Sequence, residues 1–150
     1  MHPMTRRAAT AAALLLLPGL VRADAPTGQY EAYLSTQITI SDAKTHLQWT
    51  RAVPAGQQSL SQIVCSTRLP SVRELATLLD NEPATVYDDK GLPQRIYIDT
   101  NAFPGTPRGN FWTSTATPEG KVFVVNFGNG EISLVYPAVT KAHVRCVVNY

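Results

Sequence analysis

The chain is short of the side chains from which most catalytic and metal sites are built. Its 150 residues hold two cysteines, Cys65 and Cys146, and three histidines, His2, His46 and His143. A zinc site needs three or four convergent donors, and neither His46 nor His143 has a second His or Cys at ligand spacing. No G-x-S-x-G is present: Ser114 lies between Thr113 and Thr115, so the nucleophile-elbow reading fails. No D-x-D-x-D-G loop marks an EF-hand. Repeats and low-complexity segments are lacking, and so is any apolar run of the ~20 residues that cross a bilayer. Charged residues make up only 16% of the chain, with no Lys/Arg stripe, which removes the electrostatic footing for binding nucleic acid.

What is present begins with an export pattern. Arg6 and Arg7 precede an Ala/Leu run over residues 8–17, Pro18-Gly19 breaks it, and Val21-Arg22-Ala23 offers a small-residue cleavage site. These three parts form a secretory signal over residues 1–23. The residues after the Arg pair, Ala8-Ala9-Thr10, lack the bulky apolar groups of the twin-arginine route, so general secretion is the default. Cleavage after Ala23 removes three of the 13 basic residues and none of the 11 acids, leaving net charge −1 over 127 residues. The expected location is secreted or periplasmic, with no membrane span after cleavage.

In that compartment Cys65 and Cys146 are expected to form one disulfide. Redox-active pairs usually lie in C-x-x-C, and these two cysteines are far apart. A loop of that length stabilises by roughly 4 to 5 kcal/mol in the chain-entropy model. The bond also withdraws both sulfurs from nucleophilic or metal chemistry.

Residues 24–28 read as a lead-in. Residues 29–34 and 37–41 alternate polar and apolar, as half-buried strands do, and 46–50 form the next strand after a polar turn at Asp42-Ala43-Lys44. Leu60, Ile63 and Val64 fall at i, i+3, i+4, predicting a short helix that ends near Cys65. Ser71-Val72-Arg73-Glu74 is a capping box directly after Pro70, and Val72, Leu75, Leu78 and Leu79 build one apolar face, predicting a helix over 72–79. Residues 82–109 carry four prolines and no helical pattern, and read as a long irregular region. The tail is β in composition over 111–115, 122–127, 131–136 and 143–148, with a hairpin turn at Gly128-Asn129-Gly130. The whole is an α+β domain.

Several segments together resemble one family. Arg68-Leu69-Pro70-Ser71, Glu74-Leu75 and Leu79-Asp80 are similar to the R-L-P-T-x-x-E-L…D segment of the Lcl C-terminal domain family, named for the C-terminal domain of a collagen-like bacterial adhesin. Residues 42–49, Ile98-Asp99 with Phe103-Pro104, Phe111-Trp112-Thr113-Ser114, Val125-Asn126-Phe127 with Gly130, and Val144-Arg145-Cys146-Val147 follow in the family's order. The chain departs from the pattern at Thr67, where the family has Trp, and at residues 59–62, where W-x-x-A is missing. The resemblance implies a C-type-lectin-like fold, related to formylglycine-generating enzymes. In it a twisted antiparallel sheet is flanked by two short helices and a long irregular loop region, with the first helix tied to the last strand by the disulfide. Residues 24–38 then form the lead-in and first strand, and 39–150 the domain.

Exposed aromatic and adaptable polar residues are the material of a binding surface. Trp112 and Ser114, Asn126 and Asn129 supply such groups on the loop side, and Arg95 and Arg108 supply donors for anionic groups. Each has a structural alternative: Trp49 and Trp112 suit a core, Asn129 suits turn geometry, and Arg68 and Arg145 belong to structural motifs. No cofactor is expected, and calcium has candidate donors but no supporting motif. Asp88, Asp89 and Asp99, with Asp80 and Glu82 nearby, are oxygen donors in the irregular region, and their alternative is as turn and cap residues.

The expected function is a secreted, non-enzymatic module recognising a glycan or another surface polymer. The adhesin domain is associated with sulfated glycosaminoglycans and acts within a trimer, whereas this chain has neither a Gly-x-y stalk nor a basic surplus. The alternatives are a periplasmic envelope protein that binds another protein or serves a structural role, and a hydrolase using loop carboxylates such as Asp88 and Asp99.

Overall fold

Two adjacent strands that are apolar on both sides organise the molecule. In the computed structural model, residues 25, 26, 28–31 and 38–149 are described; the expected export segment, Asp24 and residues 32–34 of the first expected strand lie outside them. The elements are β1 (Tyr30–Glu31), β2 (Thr39–Asp42), β3 (Leu47–Thr50), a 3-10 turn (Leu60–Gln62), α1 (Val72–Ala76), β4 (Ala84–Tyr87), β5 (Pro93–Ile96), β6 (Asn110–Ala116), β7 (Val122–Asn126), β8 (Ile132–Val135) and β9 (Val147–Asn149).

The strands form three antiparallel sheets rather than one: β1-β2-β3-β9, β4-β5 and β6-β7-β8. On β6 and β7 the side-chain period of two sends neighbours to opposite faces. Phe111, Val125 and Phe127 enter one buried cluster with Trp49, Leu75, Ile98 and Phe103. Trp112, Val122 and Val124 enter a second with Ala142, Val144 and Cys146. Both apolar clusters are thus built on the same pair of strands. A sheet-rich α+β class fits this architecture.

The capping box forms as its sequence requires. Ser71 Oγ accepts from the Glu74 amide, and Glu74 Oε2 accepts from the Ser71 amide. The α-helix ends at Ala76, three residues before its expected end, and tightens into turns in which Leu78 and Leu79 donate to Leu75 and Ala76. Thr115 Oγ1, on β6, accepts from the Val72 amide and fixes the start of the helix against the central sheet.

Two expectations are corrected. The helix before Cys65 is a single 3-10 turn: Leu60 and Ile63 pack on the second cluster, but Val64 is 88% exposed. The chain is pinned on both sides of this turn, by paired backbone bonds between Gln58 and Ala142 and by the Cys65–Cys146 disulfide. Ser59 supplies no capping bond to extend it. The region 82–109 is not wholly irregular, because β4 and β5 form a hairpin with Ala84 opposite Ile96 and Tyr87 opposite Pro93. Its turn is held by Asp88 Oδ1, which accepts from the Lys90 and Leu92 amides, and by Gly91 at φ +74°.

Candidate functional site

The structure gathers some of the sequence candidates and disperses others. Arg108, Asn126 and Asn129 share a shallow surface depression with Gly109 and Gly128. Their polar atoms are already engaged. Arg108 donates to the Arg95 carbonyl at 2.8 Å, to Gln94 Oε1 at 2.7 Å and to the Gly128 carbonyl at 3.2 Å, stitching β5 to the β7–β8 turn. Asn126 donates to Asn110 and accepts from the Gly128 amide. Asn129 accepts from the Glu131 amide and donates to its carboxylate. Arg95 is exposed beside this group. Trp112 is fully buried and donates through Nε1 to the Gln58 carbonyl at 2.8 Å, so it belongs to the core and not to a surface. Ser114 is exposed, and its hydroxyl donates to the Pro70 carbonyl.

The acidic residues act as turn groups. Asp88 closes the β4–β5 turn, and Asp99 Oδ1 accepts from the Asn101 and Ala102 amides. Asp89 is exposed on the same turn as Asp88. Among the described residues no three His, Cys, Asp or Glu side chains gather in a metal-holding arrangement.

A different place has polar groups to spare. Beside the end of α1 lies a cavity of about 220 Å³ lined by Gln29, Tyr30, Lys44, Asp80, Asn81 and Asp99, with Thr77–Leu79 and Ala25-Pro26 completing the wall. Several lining residues are held by local structure. Tyr30 sits opposite Asp42 in the β1–β2 pairing and meets Phe103 edge-on, with centroids 5.2 Å apart. Lys44 rides on the β2–β3 turn, shaped by Asp42 Oδ1 accepting from the Lys44 and Thr45 amides. Asp80 is anchored by its amide on the Tyr97 carbonyl and by Oδ1 accepting from Glu82.

Among the described residues, no hydrogen bond engages the side-chain amides of Gln29 and Asn81, the Lys44 ammonium or the Tyr30 hydroxyl; the second carboxylate oxygens of Asp80 and Asp99 are likewise unengaged. The cavity therefore offers donors and acceptors that water or a ligand would satisfy. Its field is net negative near the phenol. Burial, then Asp42, Asp99 and Asp80, raise the Tyr30 pKa well above the usual phenol value, so Tyr30 stays protonated and acts as a donor. Of these residues only Asp80 and Asp99 stand out in the sequence, both as turn-type acids. Gln29, Tyr30, Lys44 and Asn81 carry no local signal, because their convergence depends on the β1–β2 pairing and on where α1 ends.

No curated protein and no solved structure matches the chain significantly. Residues 38–148 match the Lcl C-terminal domain, a span that takes in the helix with its capping box, both apolar clusters and the disulfide. The chain belongs to the Lcl C-terminal domain family.

Proposed function

We propose that the protein is a secreted, non-enzymatic recognition module with a C-type-lectin-like fold, and that it takes part of a glycan or similar surface polymer into the cavity between Tyr30, Lys44, Asp80, Asn81 and Asp99. The observation that carries this reading is the convergence there of two amides, an ammonium, a phenol and two carboxylate oxygens with no protein partner among the described residues. Hydroxyl-rich ligands need such mixed donors and acceptors. Asp80 and Asp99 in the wall oppose a sulfated or otherwise anionic polymer, so the ligand class is neutral or amino-bearing sugar. The cavity is smaller than the roughly 300–1,000 Å³ of drug-sized sites, which suits one sugar unit of a longer chain.

A second reading, binding of an envelope protein, draws on the exposed apolar residues of β8, Ile132 and Leu134. The hydrolase reading loses support because Asp88 and Asp99 each spend an oxygen on backbone amides of separate turns.

The test is a glycan array probed with the purified protein, with and without a chelator, alongside Lys44→Ala and Asp80→Asn. Retention on neutral or amino-bearing glycans that ignores the chelator and drops about tenfold in the variants is expected, the loss of one or two hydrogen bonds to charged groups. A blank array, or binding that is undiminished in both variants, would refute the cavity as the site.

A further inference from the structure

The central three-stranded sheet has two edges, and the fold treats them differently. The β6 edge is covered by the chain itself: the Trp112 amide donates to the His143 carbonyl, the His143 amide to the Asn110 carbonyl, and the Ser114 amide to the Pro70 carbonyl. The β8 edge has no such cover among the described residues. Sheet edges are ordinarily protected by Lys, Pro, a bulge or a covering segment, because bare ones pair with other strands. Glu131-Ile132-Ser133-Leu134-Val135-Tyr136 contains neither Lys nor Pro, and from Ile132 to Val135 its pairing with β7 runs in unbroken register.

The hydrogen-bond parity of β8 follows from its turn. The Asn126 amide donates to the Glu131 carbonyl, so in the antiparallel alternation residues 131, 133 and 135 face β7, and 132 and 134 turn their amides and carbonyls outward. Those outward residues and Tyr136 also share one face of the sheet, where Ile132, Leu134 and Tyr136 are 46%, 43% and 60% exposed. Free backbone groups and bare apolar side chains thus coincide at every second residue.

We propose that β8 is a self-association edge at which two copies of this chain pair antiparallel about a two-fold axis through Leu134, joining two three-stranded sheets into one of six strands. In that register Leu134 faces Leu134 of the second copy, and Ile132 faces its Tyr136. Every outward amide and carbonyl then finds a partner, and the apolar stripe becomes continuous across the axis. Charge agrees with the antiparallel sense. The strand begins beside Glu131 and ends where Lys121 lies 4.8 Å over the Tyr136 ring, so the two-fold brings each acidic end to the other copy's basic end. Parallel addition would set like ends together.

The test is molecular mass by sedimentation velocity for the purified protein and for Leu134→Lys and Leu134→Asp, separately and mixed. The wild type is expected at twice the monomer mass with concentration-dependent dissociation. Each variant alone places like charges directly opposite on the axis and is expected to weaken the dimer by about tenfold or more. The equimolar mixture is expected to recover a one-to-one dimer, which also shows that both variants are folded. A wild type that stays monomeric, a trimer, a Leu134→Lys protein as dimeric as the wild type, or a mixture that fails to recover the dimer would each overturn the proposal.

Discussion

The guanidinium of Arg68 meets both carboxylate oxygens of Glu74, Nη1 to Oε2 at 2.8 Å and Nη2 to Oε1 at 2.7 Å. The same Oε2 takes the Ser71 amide at 2.7 Å, so one carboxylate closes the capping box and ties α1 to the strand-like segment before it. The Arg68 hydrogen bonds lead in holding the Glu74 carboxyl down to about 2, well below its ordinary 4.5. A carboxyl with a depressed folded pKa contributes stability that is fully present above the unfolded value and lost as pH falls through the folded one. Thermal melts are therefore expected to lose stability between about pH 4.5 and about 2, and Glu74→Gln to flatten the Glu74 part of that slope while lowering stability at neutral pH. Identical slopes in the two proteins would show that this pair does not set the acid limb.

The Cys65–Cys146 bond spans 81 residues, and Cys146 is also a member of the second apolar cluster. Replacing both cysteines by serine is expected to cost about 4 to 5 kcal/mol from the freed unfolded chain. The read-out is urea unfolding of the two proteins, and a change under about 1 kcal/mol would contradict the staple role.

Arg145 is fully buried, and among the described residues no carboxylate forms an ion pair with it. Its guanidinium lies 4.6 Å over the Phe103 ring and 5.9 Å from that of Phe111, and donates to the Thr50 and Arg51 carbonyls and to Thr106 Oγ1. Burial lowers its pKa to about 9. A lysine has neither the flat face for the rings nor the fork for three acceptors, so Arg145→Lys is expected to destabilise by about 3 kcal/mol. Denaturant midpoints check this, and a near-neutral result would show that the acceptors are readily satisfied without the fork.

Trp112→Phe removes the Nε1 bond to Gln58 and the second ring of a fully buried indole. The expected loss is about 2 to 3 kcal/mol of stability, with glycan retention unchanged. A selective loss of retention at wild-type stability would restore Trp112 to the ligand surface.

Features written in adjacent residues were legible in the sequence. The capping box, the Gly128-Asn129-Gly130 turn and the β3 and β7 strands each rest on contacts within a few positions, and each forms close to where expected. The β4–β5 hairpin was hidden by Pro83 and Pro93 at its borders, although its half-buried and exposed residues alternate along β4. The division into three sheets was not legible, because it depends on pairings such as β3 with β9 between distant parts of the chain. The cavity at Tyr30 and Asp99 was hidden for the same reason, and only its acids advertised themselves.

The stretch 142–147 sends Ala142, Val144 and Cys146 into one apolar cluster, while His143 and Arg145 pack on Phe111 and Val147 joins the other. Neither interior is complete without these six neighbours. They form a partition shared by both, so a disturbance on one side reaches the other, and the two interiors are expected to melt together.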